Sequence, residues 1–318
     1  MRKIVTAGSI LVDRINSVGA YPKSGELAQI RSVSRAPGGL VPNTGRDIRI
    51  LAPEIPVAAC GMIGDDDDGR FVANALTACG MDISGVAVTR NAPTSFTDVI
   101  SVDGGERTFF TYPGASALWG YDEFPFELVE KDDIVLLGYF LLLAKIDSGD
   151  GKRILHELKA RGAMTAIDLV TENSDRYGLV RECLADVDYL IVNESEAANM
   201  AGASDDTVLH GVAQSILDLG VRERVVIHHP AGAVSLTKGG RWTVRPSIDV
   251  PKGFIKGKTG AGDAFCAGAL VGIFKNLSEE EILDLGSLAA IGALSATGAT
   301  EGMRTIADLK KLISTFNS

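Results

Sequence analysis

One short stretch of this chain, residues 256–265, reads KGKTGAGDAF and decides how the rest is interpreted. Its glycines allow backbone N–H groups to approach an anion closely. The apolar run at 264–274 predicts a helix whose N-terminus favours negative charge. Asp263 places a carboxylate beside this anion site, where it would be a base that takes a proton from a hydroxyl while a phosphoryl group is held nearby. A helix N-cap is the alternative that this short motif alone favours, because aspartate is common there. The rest of the chain shifts the interpretation to the base.

Composition limits the class of protein. The 318 residues, 46% of them hydrophobic and 23% charged, can bury one large core or two moderate ones. The net charge of -10 argues against nucleic-acid and membrane-surface partners, which call for basic patches. No secretory signal is evident, and the longest apolar runs are too short to span a bilayer. These features predict a soluble, cytoplasmic protein.

Apolar strand candidates alternate with helical patterns along most of the chain. The strand candidates are 4–7, 57–62, 134–138, 164–168, 189–192 and 224–228. The helical patterns are 68–78, 149–160, 176–184, 194–200 and 205–219, followed by 264–274, 278–297 and 306–316. This alternation predicts an α/β fold with a mainly parallel sheet covered by helices on both faces.

Two segments, about 13–35 and 93–112, interrupt this alternation. Both have β character without intervening helices, and the second contains a hairpin signal at Asp103-Gly104-Gly105. We expect them to pair as a small sheet beside the main body. Such a sheet suits a lid over a ligand cleft, a surface extension or a dimer arm.

Familiar nucleotide signatures are absent from the sequence. There is no G-x-x-x-x-G-K-[ST] motif, and Phe265 stands where the dinucleotide fingerprint needs its third glycine. The protein-kinase motif set is missing too. Phosphate chemistry in this chain therefore needs another arrangement.

Five motifs in order resemble the ribokinase-like (PfkB) carbohydrate kinases over nearly the whole length. They are GSILVD at 8–13, PGGLVPN at 37–43, GMIGDDDDG at 61–69, NESE at 193–196 and TGAGD at 259–263. The resemblance implies a single ribokinase-like domain over 1–318, with a three-layer α/β/α body and a small β-sheet lid. It also implies a phosphotransferase with an alcohol group as acceptor.

The resemblance assigns the sugar to four residues near the N-terminus: Asp13, Gly38, Gly39 and Asn43. Sugar hydroxyls both donate and accept, so aspartate and asparagine suit them. A tight turn before a helix starting near Pro42 is the structural alternative for the glycine pair.

The phosphate side of the site is implied in the same way. Asn193 and Glu196 would organise Mg²⁺, with Glu196 acting through water, although the same spacing is close to a helix capping box. Backbone N–H groups of Gly260, Ala261 and Gly262 would stabilise charge on the transferred group. The run of aspartates at 65–68 is interpreted as a helix start, since neighbouring side chains do not converge on a metal.

Two departures from the family pattern affect the nucleotide side. Gly257 and Lys258 replace an Asp-Thr pair, which leaves a monovalent-cation site in doubt and puts Lys258 near the transferred phosphate. The turn at 229–232 keeps only its second glycine, Gly232, for nucleotide contacts. Arg107, beside the lid hairpin, would meet substrate or phosphate, or would be a solvated edge-strand charge.

Three functional hypotheses follow. The first is a kinase that transfers the γ-phosphoryl group of ATP to a sugar or sugar-acid hydroxyl with Asp263 as general base and Mg²⁺ as cofactor. The second is a nucleoside kinase of the same fold, which needs an apolar slot for a base. The third is a nucleotide- or sugar-binding protein with little catalysis. Lids of this family often pair, so a homodimer through the lid is also expected.

Overall fold

The computed structural model describes residues 2–102, 107–171, 176–202 and 208–317. The hairpin predicted at Asp103-Gly104-Gly105 and the first residues of the helix predicted over 205–219 lie outside these ranges. None of the helices in the described ranges is long and apolar enough to cross a membrane.

The body is built on a nine-stranded sheet with the order β13-β12-β11-β10-β9-β8-β1-β4-β5. Neighbours from β11 to β5 pair in parallel, and β12 and β13 add an antiparallel edge. The strands are β1 Ile4–Gly8, β4 Val57–Gly64, β5 Asp82–Thr89, β8 Ile134–Phe140, β9 Met164–Leu169, β10 Tyr189–Asn193, β11 Arg224–His229, β12 Gly232–Thr237 and β13 Trp242–Pro246.

Helices cover both faces of this sheet. They are α1 Leu40–Leu51, α2 Asp67–Ala78, α3 Gly151–Ala160, α4 Gly178–Arg181, α5 Glu194–Ala201, α6 Leu209–Asp218, α7 Ala261–Phe274, α8 Glu279–Leu294 and α9 Ile306–Ser314. Side chains of α3 to α6 join one buried cluster, and those of α1, α2 and α7 to α9 join the other.

The strand sequences explain the two clusters. Successive residues of a strand point to opposite faces, and accordingly Val5 packs in the first cluster while Ile4 packs in the second. Strands buried on both faces read as continuous apolar runs, and every residue of β1 and of β4 is buried. The three-layer α/β/α fold expected from the sequence is confirmed.

A separate four-stranded sheet, called the small sheet below, has the order β3-β2-β6-β7. Its strands are β2 Leu11–Val18, β3 Ile30–Gly38, β6 Ser95–Val102 and β7 Arg107–Tyr112. The segments predicted to leave the main body, 13–35 and 93–112, supply most of it. Arg14 and Arg35 tie it to α2 through Asp68, with N–O distances of 2.7 and 3.3 Å. The single-domain assignment and the lid role stay predictions.

Some elements were not foreseen. Strand β5 and the antiparallel pair β12 and β13 carry no prediction, and the helix predicted over 176–184 is the single turn α4 followed by a 3₁₀ turn at Leu184–Asp186. Strand β12 is short and largely buried, and only β13 forms the sheet edge. In β13, Val244 is 56% exposed.

Candidate active site

The candidate site lies where the parallel strands of the body end, the edge at which open α/β sheets bind ligands. A cavity of about 170 Å³ opens there. It is lined by the ends of β8 to β11, the residues that follow β9, and the starts of α5 and α7: Tyr139, Asp168, Leu169, Val170, Thr171, Asn193, Glu196, His228, Gly260, Gly262 and Asp263. The sequence motifs at 193–196 and 259–263 thus converge on one space.

Asp263 lies in the first turn of α7 and is 6% exposed. Asn43 Nδ2 donates to its Oδ2 at 3.0 Å, and the Tyr139 hydroxyl lies 3.0 Å from each carboxylate oxygen. The N-cap of α7 is Gly260, with no side-chain cap hydrogen bond. The capping interpretation of Asp263 is therefore wrong, and its carboxylate faces the cavity.

The environment of Asp263 suits a base that works near neutral pH. Burial raises the pKa of its carboxyl to about 6, and the carboxylates of Asp13 and Glu196 add to the rise. The hydrogen bonds from Asn43 and Tyr139 oppose it. A carboxylate with this pKa is ionised at pH 7 and still basic enough to accept a proton.

Tyr139 is a site residue that sequence reasoning missed. It lies within β8 with a φ of 59°, a left-handed conformation that is uncommon for a bulky residue. Burial, followed by the charges of Asp263 and Asp168, raises the pKa of its phenol well above the usual value. Tyr139 therefore stays protonated and donates to Asp263. In the sequence it is one more residue of an apolar strand.

The glycine turn before α7 brings backbone to the cavity. Gly260 has a φ of 75°, and Gly262 lies against the ring of His228. Burial lowers the pKa of His228 to about 4, so this ring is neutral. The Ala261 N–H, one of the donors predicted for phosphate, donates to the Lys258 carbonyl at 3.3 Å and is therefore partly occupied. The Lys258 side chain is exposed.

The predicted sugar residues lie together beside Asp263. A Cβ on Gly38 would lie 2.4 Å from Asp13 Oδ2, so a side chain at this position would displace the Asp13 carboxylate. Gly39 is the N-cap of α1 and has a φ of 87°. Asp13 is half-buried, and this desolvation raises its pKa to about 6 against the opposing charge of Arg107. Both interpretations of the glycine pair therefore hold: it forms the turn before α1, and it lies next to Asp13 on the side of Asp263.

Asn193 and Glu196 form the capping box of α5. Glu196 is 3% exposed, its Oε2 accepts from the Asn193 N–H at 3.0 Å, and its Oε1 accepts from Thr171 Oγ1 at 2.8 Å. Burial raises the pKa of Glu196. Asp168, also missed in the sequence, lies in β9 and lines the same cavity, and burial with the Asp263 and Glu196 charges raises its pKa well above the usual value.

Three carboxylates thus share this cavity: Asp168, Glu196 and Asp263. Over the described ranges, no group of three or more His, Cys, Asp or Glu side chains is placed to hold a metal ion by itself. Carboxylate oxygens are nevertheless ligands that Mg²⁺ takes together with water and phosphate oxygens.

The remaining predicted residues lie further out. Gly232 begins β12, pairs with His229 across the hairpin and is not part of the cavity lining. Arg107 begins β7, and its guanidinium reaches Thr259 and the Thr297 carbonyl. Asp66 caps α2, and Asp68 pairs with Arg14, which agrees with the structural interpretation of the 65–68 run.

The pKa values of Asp263 and Asp13, both about 6, predict a pH dependence. With Asp263 as the proton acceptor, kcat/KM should fall by at least about tenfold per pH unit below pH 6, because an acceptor must be ionised, and should level off above pH 7. The same two groups also affect stability. Because both pKa values are raised from 3.8 in the folded protein, the folded state holds these protons more tightly than the unfolded state does. The stability that this adds at low pH is lost as the pH rises through about 6. Initial rates and urea melts measured over a pH series check the activity and the stability predictions. A rate that stays flat down to pH 5 would contradict the assignment.

Comparison with known proteins gives the same family that the motifs suggest. The family model described as "pfkB family carbohydrate kinase" matches residues 1–306. A probable fructokinase-7 of Arabidopsis thaliana is 28% identical over 337 residues, covering 99% of this chain and 93% of the relative.

Two solved structures share the fold. The A. thaliana ribokinase complexed with ribose and ATP has a TM-score of 0.84 at 24% identity, covering 98% of this chain and 99% of its own. A putative ribokinase II from E. coli, in complex with ATP and Mg²⁺, has a TM-score of 0.82 at 18% identity, covering 99% and 100%. The family model spans nearly the whole chain, and this protein therefore belongs to the pfkB family of carbohydrate kinases, phosphotransferases with an alcohol group as acceptor.

Proposed function

We propose that this carbohydrate kinase transfers the γ-phosphoryl group of ATP to a hydroxyl of a sugar or sugar acid, with Asp263 as general base. The observation that carries the proposal is the buried Asp263 carboxylate, with a pKa of about 6, at a glycine turn that lines the same cavity. The base takes the proton of the attacking hydroxyl while that oxygen bonds to phosphorus and the bond to ADP breaks.

The other residues hold this base and its substrate. Asn43 and Tyr139 donate to Asp263 and fix its orientation. Asp13 lies close enough to Asp263 to raise its pKa, and the Gly38-Gly39 turn packs against Asp13 and Ser9. We assign the sugar hydroxyls to this side. The lid role of the small sheet, which would exclude water, belongs to the same proposal.

We assign ATP to the side of the cavity formed by the α7 N-terminus and α5. Gly260, Ala261 and Gly262 would face the transferred phosphoryl group, with Lys258 and Gly232 at the periphery. Glu196, joined by Asp168, would hold Mg²⁺ largely through water, and the ion supplies positive charge that offsets the phosphate oxygens. Both of the similar structures are complexes with ATP, and the E. coli one also contains Mg²⁺.

Replacing Glu196 with glutamine should raise the Mg²⁺ concentration for half-maximal rate by about tenfold or more, because a charged oxygen is lost from the cation's surroundings. The amide oxygen of glutamine can still cap α5. Glu281→Gln is the matched control, since Glu281 forms the same type of capping box with Ser278 at α8. A Mg²⁺ titration of ADP release measures both variants. Equal Mg²⁺ requirements in the two variants would show that Glu196 is not part of the cation site.

An acceptor panel tests the substrate class. Coupled ADP release should be seen with at least one hexose, pentose, sugar acid or phosphosugar, and thermal shifts should rank the same compounds. ADP release and stabilisation by nucleosides alone would establish a nucleoside kinase. Stabilisation without ADP release from any hydroxyl acceptor would establish a binding protein.

Two points stay predictions. A homodimer through the small sheet is consistent with its exposed apolar side chains, among them Val33 at 71% and Phe110 at 61% exposure. A monovalent-cation site lacks the aspartate at position 257, where the chain has glycine.

A further inference from the structure

Arg107 links the small sheet to two loops, at 256–260 and 295–300, that lie beside the glycine turn before α7. It begins β7 and pairs in register with Ser101 of β6. Its Nη1 donates to Thr259 Oγ1 at 2.6 Å, and its Nη2 donates to the Thr297 carbonyl at 2.9 Å. Thr259 immediately precedes Gly260, the N-cap of α7. One side chain of the small sheet therefore contacts the loop that presents both the glycine turn and Asp263.

The two loops that Arg107 joins pack backbone against backbone. A Cβ on Gly257 would lie 3.0 Å from the carbonyl oxygens of both Ala296 and Thr297, and a Cβ on Gly260 would lie 2.5 Å from the Ala299 carbonyl oxygen. Carbonyl oxygens thus line one side of the glycine turn. The planar guanidinium supplies two donors in a fixed arrangement and a permanent positive charge at this place.

Other contacts hold the small sheet on the body. Arg14 of β2 and Arg35 of β3 pair with Asp68 on α2, and the Arg35 guanidinium stacks on Phe71. These contacts lie on the opposite half of the small sheet from β7. The small sheet is therefore anchored to the body without Arg107. The Arg107 contacts add a direct connection between the small sheet and the 256–260 loop.

We propose that Arg107 is a positioning residue that fixes the 256–260 loop, and with it the glycine turn and Asp263, to the small sheet. The anion site and the base are then fully assembled only when the small sheet lies over the cleft. This inference rests on the proposed kinase function and adds to it a role that needs no contact between Arg107 and substrate.

The test compares Arg107→Ala and Arg107→Lys with Arg35→Ala, a matched loss of a small-sheet arginine that contacts the body. Hydrogen exchange of unliganded protein should be faster over 256–264 and 295–300 in Arg107→Ala, and unchanged there in Arg35→Ala. In ADP release, Arg107→Ala should lose about 100-fold in kcat with KM for sugar changed by less than about threefold, because positioning acts on the transition state. Lysine or added guanidinium ion should restore part of this loss.

Two results would overturn the inference. The first is unchanged exchange over both loops in Arg107→Ala. The second is a loss confined to KM for the sugar, which would make Arg107 a substrate ligand instead. The exchange measurement does not depend on activity, so a wild-type protein that phosphorylates no acceptor would refute the proposed function while the exchange data still decide the role of Arg107.

Discussion

Asp263→Asn is expected to lower kcat by about 10³- to 10⁴-fold, the upper range for loss of a general base. The variant should fold normally. Its side-chain oxygen can accept from Asn43 and its amide can donate to the Tyr139 hydroxyl, so both hydrogen bonds of the buried carboxylate have replacements. Burial disfavours the charged form of Asp263, so its neutral replacement should not lower the melting temperature at neutral pH.

This first prediction is measured by coupled ADP release at saturating ATP, with circular dichroism and thermal melts on the same preparations. The pH dependence below 6 should become shallower in the variant, because one of the two groups with a pKa of about 6 is gone. A folded Asp263→Asn protein with kcat within about tenfold of wild type would show that Asp263 is not the base.

Gly260→Ala is expected to lower kcat/KM by about 100-fold or more and the unfolding free energy by roughly 2–4 kcal/mol. Gly260 has a φ of 75°, and an added Cβ would lie 2.5 Å from the Ala299 carbonyl oxygen and 2.7 Å from its Cα. These are backbone atoms, so the loop itself must move. Such a movement displaces the turn that carries Gly262 and Asp263.

Gly253→Ala separates crowding from backbone strain. Gly253 has a similar φ of 80°, but an added Cβ would meet nothing within 4 Å. We expect this control to lose about 1 kcal/mol of unfolding free energy and little activity. Urea melts and steady-state kinetics on both variants measure the difference. Equal effects on kcat/KM in the two variants would contradict the account of the glycine turn.

The body of the fold could be predicted because parallel strands buried on both faces are continuous apolar runs. Strands β1, β4 and β8 to β11 each contain a predicted segment. Strand β5 was missed because it mixes buried and exposed residues, with Val88 62% exposed. Strands β12 and β13 were missed because they depend on antiparallel pairing, β12 with β11 and β13 with β12, rather than on a pattern of their own.

The candidate site could be predicted only where a motif carries it. Asp263, Asn43, Asn193 and Glu196 stand in recognisable local patterns, and the structure brings them to one cavity or into direct contact. Tyr139 and Asp168 have no local signal, because their roles arise from long-range convergence at the strand ends. The reach of Arg107 to Thr297, 190 residues away in sequence, likewise depends on how the small sheet sits on the body.

The most direct measurement of the central claim is mass spectrometry of the acceptor after incubation with ATP, Mg²⁺ and the wild-type or Asp263→Asn protein. The account predicts a sugar or sugar acid that gains one phosphoryl group in equal amount to the ADP formed, with the yield falling by about 10³-fold or more in the variant. ADP accompanied only by inorganic phosphate, or a phosphorylated product formed equally well by the variant, would contradict it.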